Sequence, residues 1–148
     1  MGDRADVETL GNAAKLMPIS IAVDGLRLGA YVDVTAAPRT CERLLQFLPW
    51  QAQFVGARWS GPICLVQKIN LYGLPLESPI ALLSPGDIVF HPEHRDLAIA
   101  YGPSQFVEQT RAVYVTHVGR IIEGLSEFAA IGSRIHKTGA ETCIWSKA

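Results

Sequence analysis

The sequence predicts a mostly β (α+β) domain with two short helices, and three observations carry that prediction. Short stretches of alternating apolar and polar residues recur along the 148 residues, Gly and Pro turn signals separate them, and two segments carry helical periodicity instead. Many short strands at regular spacing, with two helices, indicate a barrel or a sandwich. A chain of this length is expected to form one domain with a core of its own. Residues 1–17 read as a polar tail with a helical turn around Leu10 to Leu16, and residues 18–148 as the domain.

Each element follows from local chemistry. Ile19, Ile21 and Val23 alternate with Ser20, Ala22 and Asp24, the period of a strand. Asp24-Gly25 is a hairpin turn signal, and Leu26 to Val34 continues the alternation as the second strand. Cys41, Leu44, Leu45 and Leu48 then form one apolar helical stripe, with Pro38 suited to the first turn and Pro49 ending the helix. Gln51 to Trp59 and Pro62 to Gln67 are expected strands around Ser60-Gly61. Lys68 to Pro85 is rich in turn residues, so no long element is expected there. Gly86 to Phe90 and Leu97 to Tyr101 read as short strands bracketing a polar loop, His91 to Asp96. In Ala112 to Glu123 the apolar face switches near Gly119, which predicts a bulge. Leu125 to Ile131 reads as a helix stopped by Gly132, and Ser133 to Trp145 as one or two strands around Thr138-Gly139.

Composition excludes several classes. With 49% hydrophobic and 18% charged residues the chain is expected to be ordered. Its net charge of −1 and scattered Lys and Arg lack the basic stripe of a nucleic-acid binder. No run of about 18 apolar residues predicts a membrane span. Cys41, Cys64 and Cys143 are odd in number, far apart and without a CxxC pair. They read as reduced core residues in a cytoplasmic protein.

Three stretches together resemble the cyclophilin-like superfamily. The first is Ile19 to Leu48, where Ala37-Pro38-Arg39-Thr40-Cys41-Glu42-Arg43 looks like the Pro-x-Thr-x-Glu opening of the first cyclophilin helix. The second is Leu83-Ser84-Pro85-Gly86-Asp87-Ile88 leading to Ile99-Ala100-Tyr101-Gly102-Pro103, and the third is His117 to Leu125 with its Glu123-Gly124 corner. The resemblance implies a closed β-barrel with two short helices. The Gln-Gly-Gly-Asp and Asn-rich segments of eukaryotic-type cyclophilins are absent, and Ala57-Arg58-Trp59-Ser60-Gly61 stands in the corresponding region. Together with Leu74 to Pro79, this is similar to the smaller bacterial cyclophilin-like proteins of unassigned function.

No complete catalytic signature occurs, so the sequence names no reaction and no catalytic residue. The leading expectation is a pocket for a small molecule or short peptide, lined by Arg58, Trp59, Glu77 and Tyr101, with Tyr72 and Ser104 as further candidates. Arg58 offers a planar cationic donor beside an aromatic wall, Glu77 an acceptor in a Pro-bounded loop, and Tyr101 an aromatic with a polar tip at a strand end. A second expectation is a prolyl isomerase, with Arg58 weakening an amide resonance that sets a barrier of about 18–20 kcal/mol. A third is a homo-oligomeric interaction subunit using Trp50, Phe54 and Trp145 or an open barrel edge. His91-Pro92-Glu93-His94 with Asp96 contains metal-ligand residue types, but Pro92 prevents the helical spacing that zincins use. The segment therefore reads as a solvated hairpin loop, with no metal and no cofactor expected. His117 reads as a satisfied core histidine and His136 as a surface strand residue.

Overall fold

The structure, a computed structural model, describes residues 15–57 and 59–148. The expected turn around Leu10 to Leu16 lies almost wholly outside them, and its last residue, Leu16, opens a strand. Strands β1 (Leu16–Val23) and β2 (Leu26–Asp33) form a hairpin in which Val23 faces Leu26. Asp24 and Gly25 turn it with φ of 48° and 76°, the paired positive values of a tight primed turn. Helix α1 (Pro38–Phe47) follows, then β3 (Trp50–Gly56) and β4 (Ile63–Val66). Two two-residue strands, β5 (Pro79–Ile80) and β6 (Leu82–Leu83), interrupt the turn-rich region before β7 (Asp87–His91) and β8 (Asp96–Ala100). Three more short strands follow: β9 (Ser104–Gln105), β10 (Val107–Glu108) and β11 (Arg111–Ala112). Strand β12 (Val115–Glu123), helix α2 (Leu125–Thr138) and β13 (Glu141–Lys147) complete the chain.

Eight antiparallel strands run in the order β2-β1-β13-β3-β4-β8-β7-β12, and β12 returns to β2 with Gly119 opposite Val32. The sheet is thus a closed barrel, with β5 added beside β12. Closure leaves no open edge among the eight strands of the ring. Phe54 and Trp145, expected on the surface, are fully buried, and Trp50 is half-buried against Trp145. Alternation decides their fate: they occupy inward positions of strands whose barrel interior was not evident from sequence.

The expected bulge is present, since the register of β12 against β7 shifts between His117 and Gly119. There β12 approaches β2 so closely that a Cβ on Gly119 would lie 1.9 Å from the Tyr31 carbonyl oxygen. Helix α2 is a correction. It runs through Gly132 to Thr138 and ends at Gly139, whose φ of 109° only glycine adopts readily. Gly132 is small for packing rather than for stopping, because a Cβ there would sit 2.5 Å from the Tyr101 ring. Consequently residues 133–138 are helical, His136 packs from α2 onto Gly56 and Tyr101, and only β13 follows.

Two apolar clusters explain why β4, β7 and β8 are buried on both faces. Cys64, Ile88, Phe90, Leu97 and Ile99 point into the barrel, where Leu44 of α1 and Phe128 of α2 join them. Ile63, Leu65, Val89, Ala98 and Ala100 point outward, beneath Leu83, Phe106 and Val115. The short strands therefore act as an outer layer on one side of the barrel. All three cysteines are free and buried, and burial pushes the Cys41 and Cys64 thiols up to about 12 and Cys143 to about 11. None is poised as a nucleophile at neutral pH. No helix among the described residues is long and apolar enough to cross a membrane.

Candidate functional site

The outer layer leaves a concavity at the turn end of β7 and β8. On β7 the outward positions are Asp87, Val89 and His91, so His91 continues a strand face instead of belonging to a loop. The turn Pro92 to Arg95 is held by the Arg95 amide donating to the His91 carbonyl at 2.7 Å. That turn brings the His94 ring against His91, edge-on at 4.5 Å between centroids. From across the outer layer β10 delivers Glu108, whose Oε1 meets His94 Nε2 directly. Strand β10 is tied in place because the Val107 amide donates to Ser60 Oγ at 3.0 Å and the Gln105 amide to the Ser60 carbonyl at 3.3 Å.

The result is a cavity of about 340 Å³. Its apolar lining is Trp59, Leu65, Phe106 and Val113; its polar lining includes Lys68, His91, His94, Asp96 and Glu108. His91 is 6% exposed, and burial together with the neighbouring His94 holds its pKa below the ordinary histidine value. Glu108 is held below the ordinary carboxylate value by its bond to His94, whereas burial raises Asp96 despite the Lys68 amide at 3.2 Å. The site thus combines a buried imidazole, a carboxylate–imidazole pair and a large exposed indole.

Of the residues expected to share one pocket, Trp59 alone lines this cavity, and Arg58 lies outside the described residues. Glu77 is committed to α1: its carboxylate accepts the amides of Arg39 at 3.1 Å and Thr40 at 2.9 Å, and the Thr40 hydroxyl at 2.8 Å. Tyr101 packs edge-on to Phe128 and His136 beneath α2, and burial pushes its phenol up to about 12. The Tyr72 ring lies 4.1 Å from the Arg95 guanidinium carbon, while Ser104 pairs with Leu83 and donates to the Gly102 carbonyl. These four are not drawn together around one concavity. Glu108 and Phe106 went unnoticed because their proximity to His91 depends on a non-local layer. The signal that was available is the alternation Asp87, Val89, His91, which places His91 on a packed face.

A second polar group lies at the other end of β7. Asp87 accepts from His117 Nε2 at 2.9 Å, from Arg120 Nη1 at 2.5 Å and from the Ser84 amide at 2.8 Å. His117 is therefore a partly buried structural partner, consistent with a satisfied histidine.

Comparison with known proteins places the fold. McbB, determined in complex with tryptophan, superposes with a TM-score of 0.73 at 20% identity over 87% of this chain. This chain spans 44% of McbB's length, less than half of it. The hypothetical protein AF2241 from Archaeoglobus fulgidus, known from a solution structure, superposes with a TM-score of 0.65 at 16% identity, over 93% of this chain and 99% of that one. No curated protein matches the sequence. Residues 19–146 match the family described as "Protein of unknown function (DUF3830)", and the chain belongs to that family.

Proposed function

We propose that the chain binds a small molecule in the cavity between the β7–β8 turn and the outer layer, on a barrel of the cyclophilin-like kind. One observation carries the reading: a single concavity of about 340 Å³ combines an apolar floor with convergent polar groups. That size and mixture are typical of sites that enclose small ligands. The Trp59 ring at its margin is 61% exposed, a cost that ligand contact would offset. Phe106 and Leu65 suit a planar or apolar portion of the ligand, and the polar wall suits a carboxylate or amide. A helix after the first hairpin, and another before the last strand of a closed eight-stranded barrel, support the cyclophilin-like part.

A thermal-shift screen tests the reading, run in chelator with small carboxylates, amides, Pro-containing peptides and free tryptophan, on wild type and Trp59→Ala. A ligand at about 100 times its Kd adds roughly 2.7 kcal/mol, which for this chain length raises Tm by about 5–10 °C. The expected result is a shift in wild type that is lost in Trp59→Ala. No shift with any compound, or an equal shift in the variant, overturns the proposal.

A further inference from the structure

We infer that His91, His94 and Glu108 form a binding site for a divalent transition-metal ion, zinc being the best fit, inside the cavity assigned above to a small ligand. Each of the three offers one ligand atom, and these atoms all lie within 4.8 Å of one another. A tetrahedral zinc with bonds of about 2.0–2.2 Å holds its ligand atoms ~3.4 Å apart. The His94–Glu108 contact must therefore open to admit an ion, with the His91 ring adjusting to complete the set. Both are side-chain rotations on a fixed frame, since the Arg95 amide fixes the turn and Ser60 fixes β10.

The donor set selects the ion. Two imidazoles and one carboxylate suit zinc and its first-row neighbours rather than magnesium or calcium, which prefer all-oxygen shells. Either ring nitrogen of His91 becomes a ligand at the cost of one long hydrogen bond, the 3.2 Å bond from the His94 amide to Nδ1. An ion at Nδ1 replaces that donor, and an ion at Nε2 moves the ring proton to Nδ1. His91 is buried against Phe106, with ring centroids 6.1 Å apart, so one ligand is already desolvated and oriented. Three protein ligands leave a fourth position facing the cavity, where water or the carboxylate of a bound molecule completes the shell. The end of β7 and the turn after it supply two ligands three residues apart, and the third comes from a strand of another layer. In the sequence Pro92 speaks against a helical metal motif, and Glu108 lies 14 residues beyond His94, outside that segment.

Ion binding does not require the small ligand, and the test keeps the two apart. Tag-free, chelator-treated full-length chain is titrated with zinc(II) alone by calorimetry and with cobalt(II) alone by visible absorption. One equivalent per chain is expected, with the cobalt bands of a four-coordinate N/O site. His94→Ala and Glu108→Gln, both at solvent-accessible positions that should leave folding intact, are each expected to weaken binding by at least about tenfold. Glu93→Gln, an exposed carboxylate of the same turn, is expected to leave it unchanged. No stoichiometric binding, or binding that survives both ligand variants, overturns the site. A ligand shift that appears in chelator without any metal binding would leave the pocket standing and remove the ion.

Discussion

Asp87 has a side chain only 6% exposed, where an unpaired carboxylate would be costly. Burial alone would raise its pKa, but the bonds from His117 and the Ser84 amide and the charge of Arg120 prevail and hold it below the ordinary carboxylate value. A depressed folded pKa means that the unfolded chain binds the proton more readily. The contribution is thus fully present above pH ~4 and is lost as pH falls through the folded value. Asp87→Asn is expected to cost about 1–3 kcal/mol at pH 7 and to flatten the acid limb of stability, read as urea midpoints between pH 2 and 7. In the sequence, Asp87 was legible as the start of a strand after Pro85-Gly86. Its partners were not, because His117 and Arg120 reach it only through the β7–β12 pairing. The same limit applied to His91 and Glu108: residue types can be read locally, while the juxtaposition that gives them chemistry belongs to the fold.

Helix α1 begins at Ala37-Pro38, and Ala37 makes no side-chain cap of its own. Its first amides are satisfied instead by Glu77, reaching in from the turn-rich segment, with its charge at the positive end of the helix dipole. Glu77→Ala is expected to lower stability by about 1–2 kcal/mol, seen as a lower Tm, while leaving ligand affinity in the screen unchanged. An affinity loss at constant stability would instead return Glu77 to the binding site. The helix itself was legible, since its apolar stripe and the two prolines agree. Helix α2 was half legible. Glycine is the usual stop signal, and nothing local reveals that Gly132 makes room for a ring from β8's end. The two-residue strands were invisible for a simpler reason: an element that short has no period to detect.

At the scale of the whole molecule, strands β4, β7 and β8 separate two apolar clusters, one inside the barrel and one beneath the outer layer. The alternating patterns made the strands legible, but not which cluster each face would meet. Gly119 matters at this scale because it sits at the β2–β12 seam, against the Tyr31 carbonyl on one side and Ile88 on the other. A methyl group there has no room beside backbone. Gly119→Ala is expected to cost about 3 kcal/mol or more, measured by chemical denaturation, a size that marks a change to the frame itself. The β1–β2 and β7–β8 hairpins join neighbours in sequence and need only short loops to close. The seam instead joins Val32 to Gly119, and α1 and the strands β3 to β11 lie between them in sequence. Pairing across such a span must meet its entropy cost before its contacts repay it. Connectivity therefore favours the local hairpins over the long-range pairings, β2 with β12 and β1 with β13, that complete the ring. The cavity is walled by β4, the β7–β8 hairpin and the outer layer through β10, away from the β2–β12 seam, so a ligand or ion held there would clamp the outer layer onto the barrel rather than the ring itself.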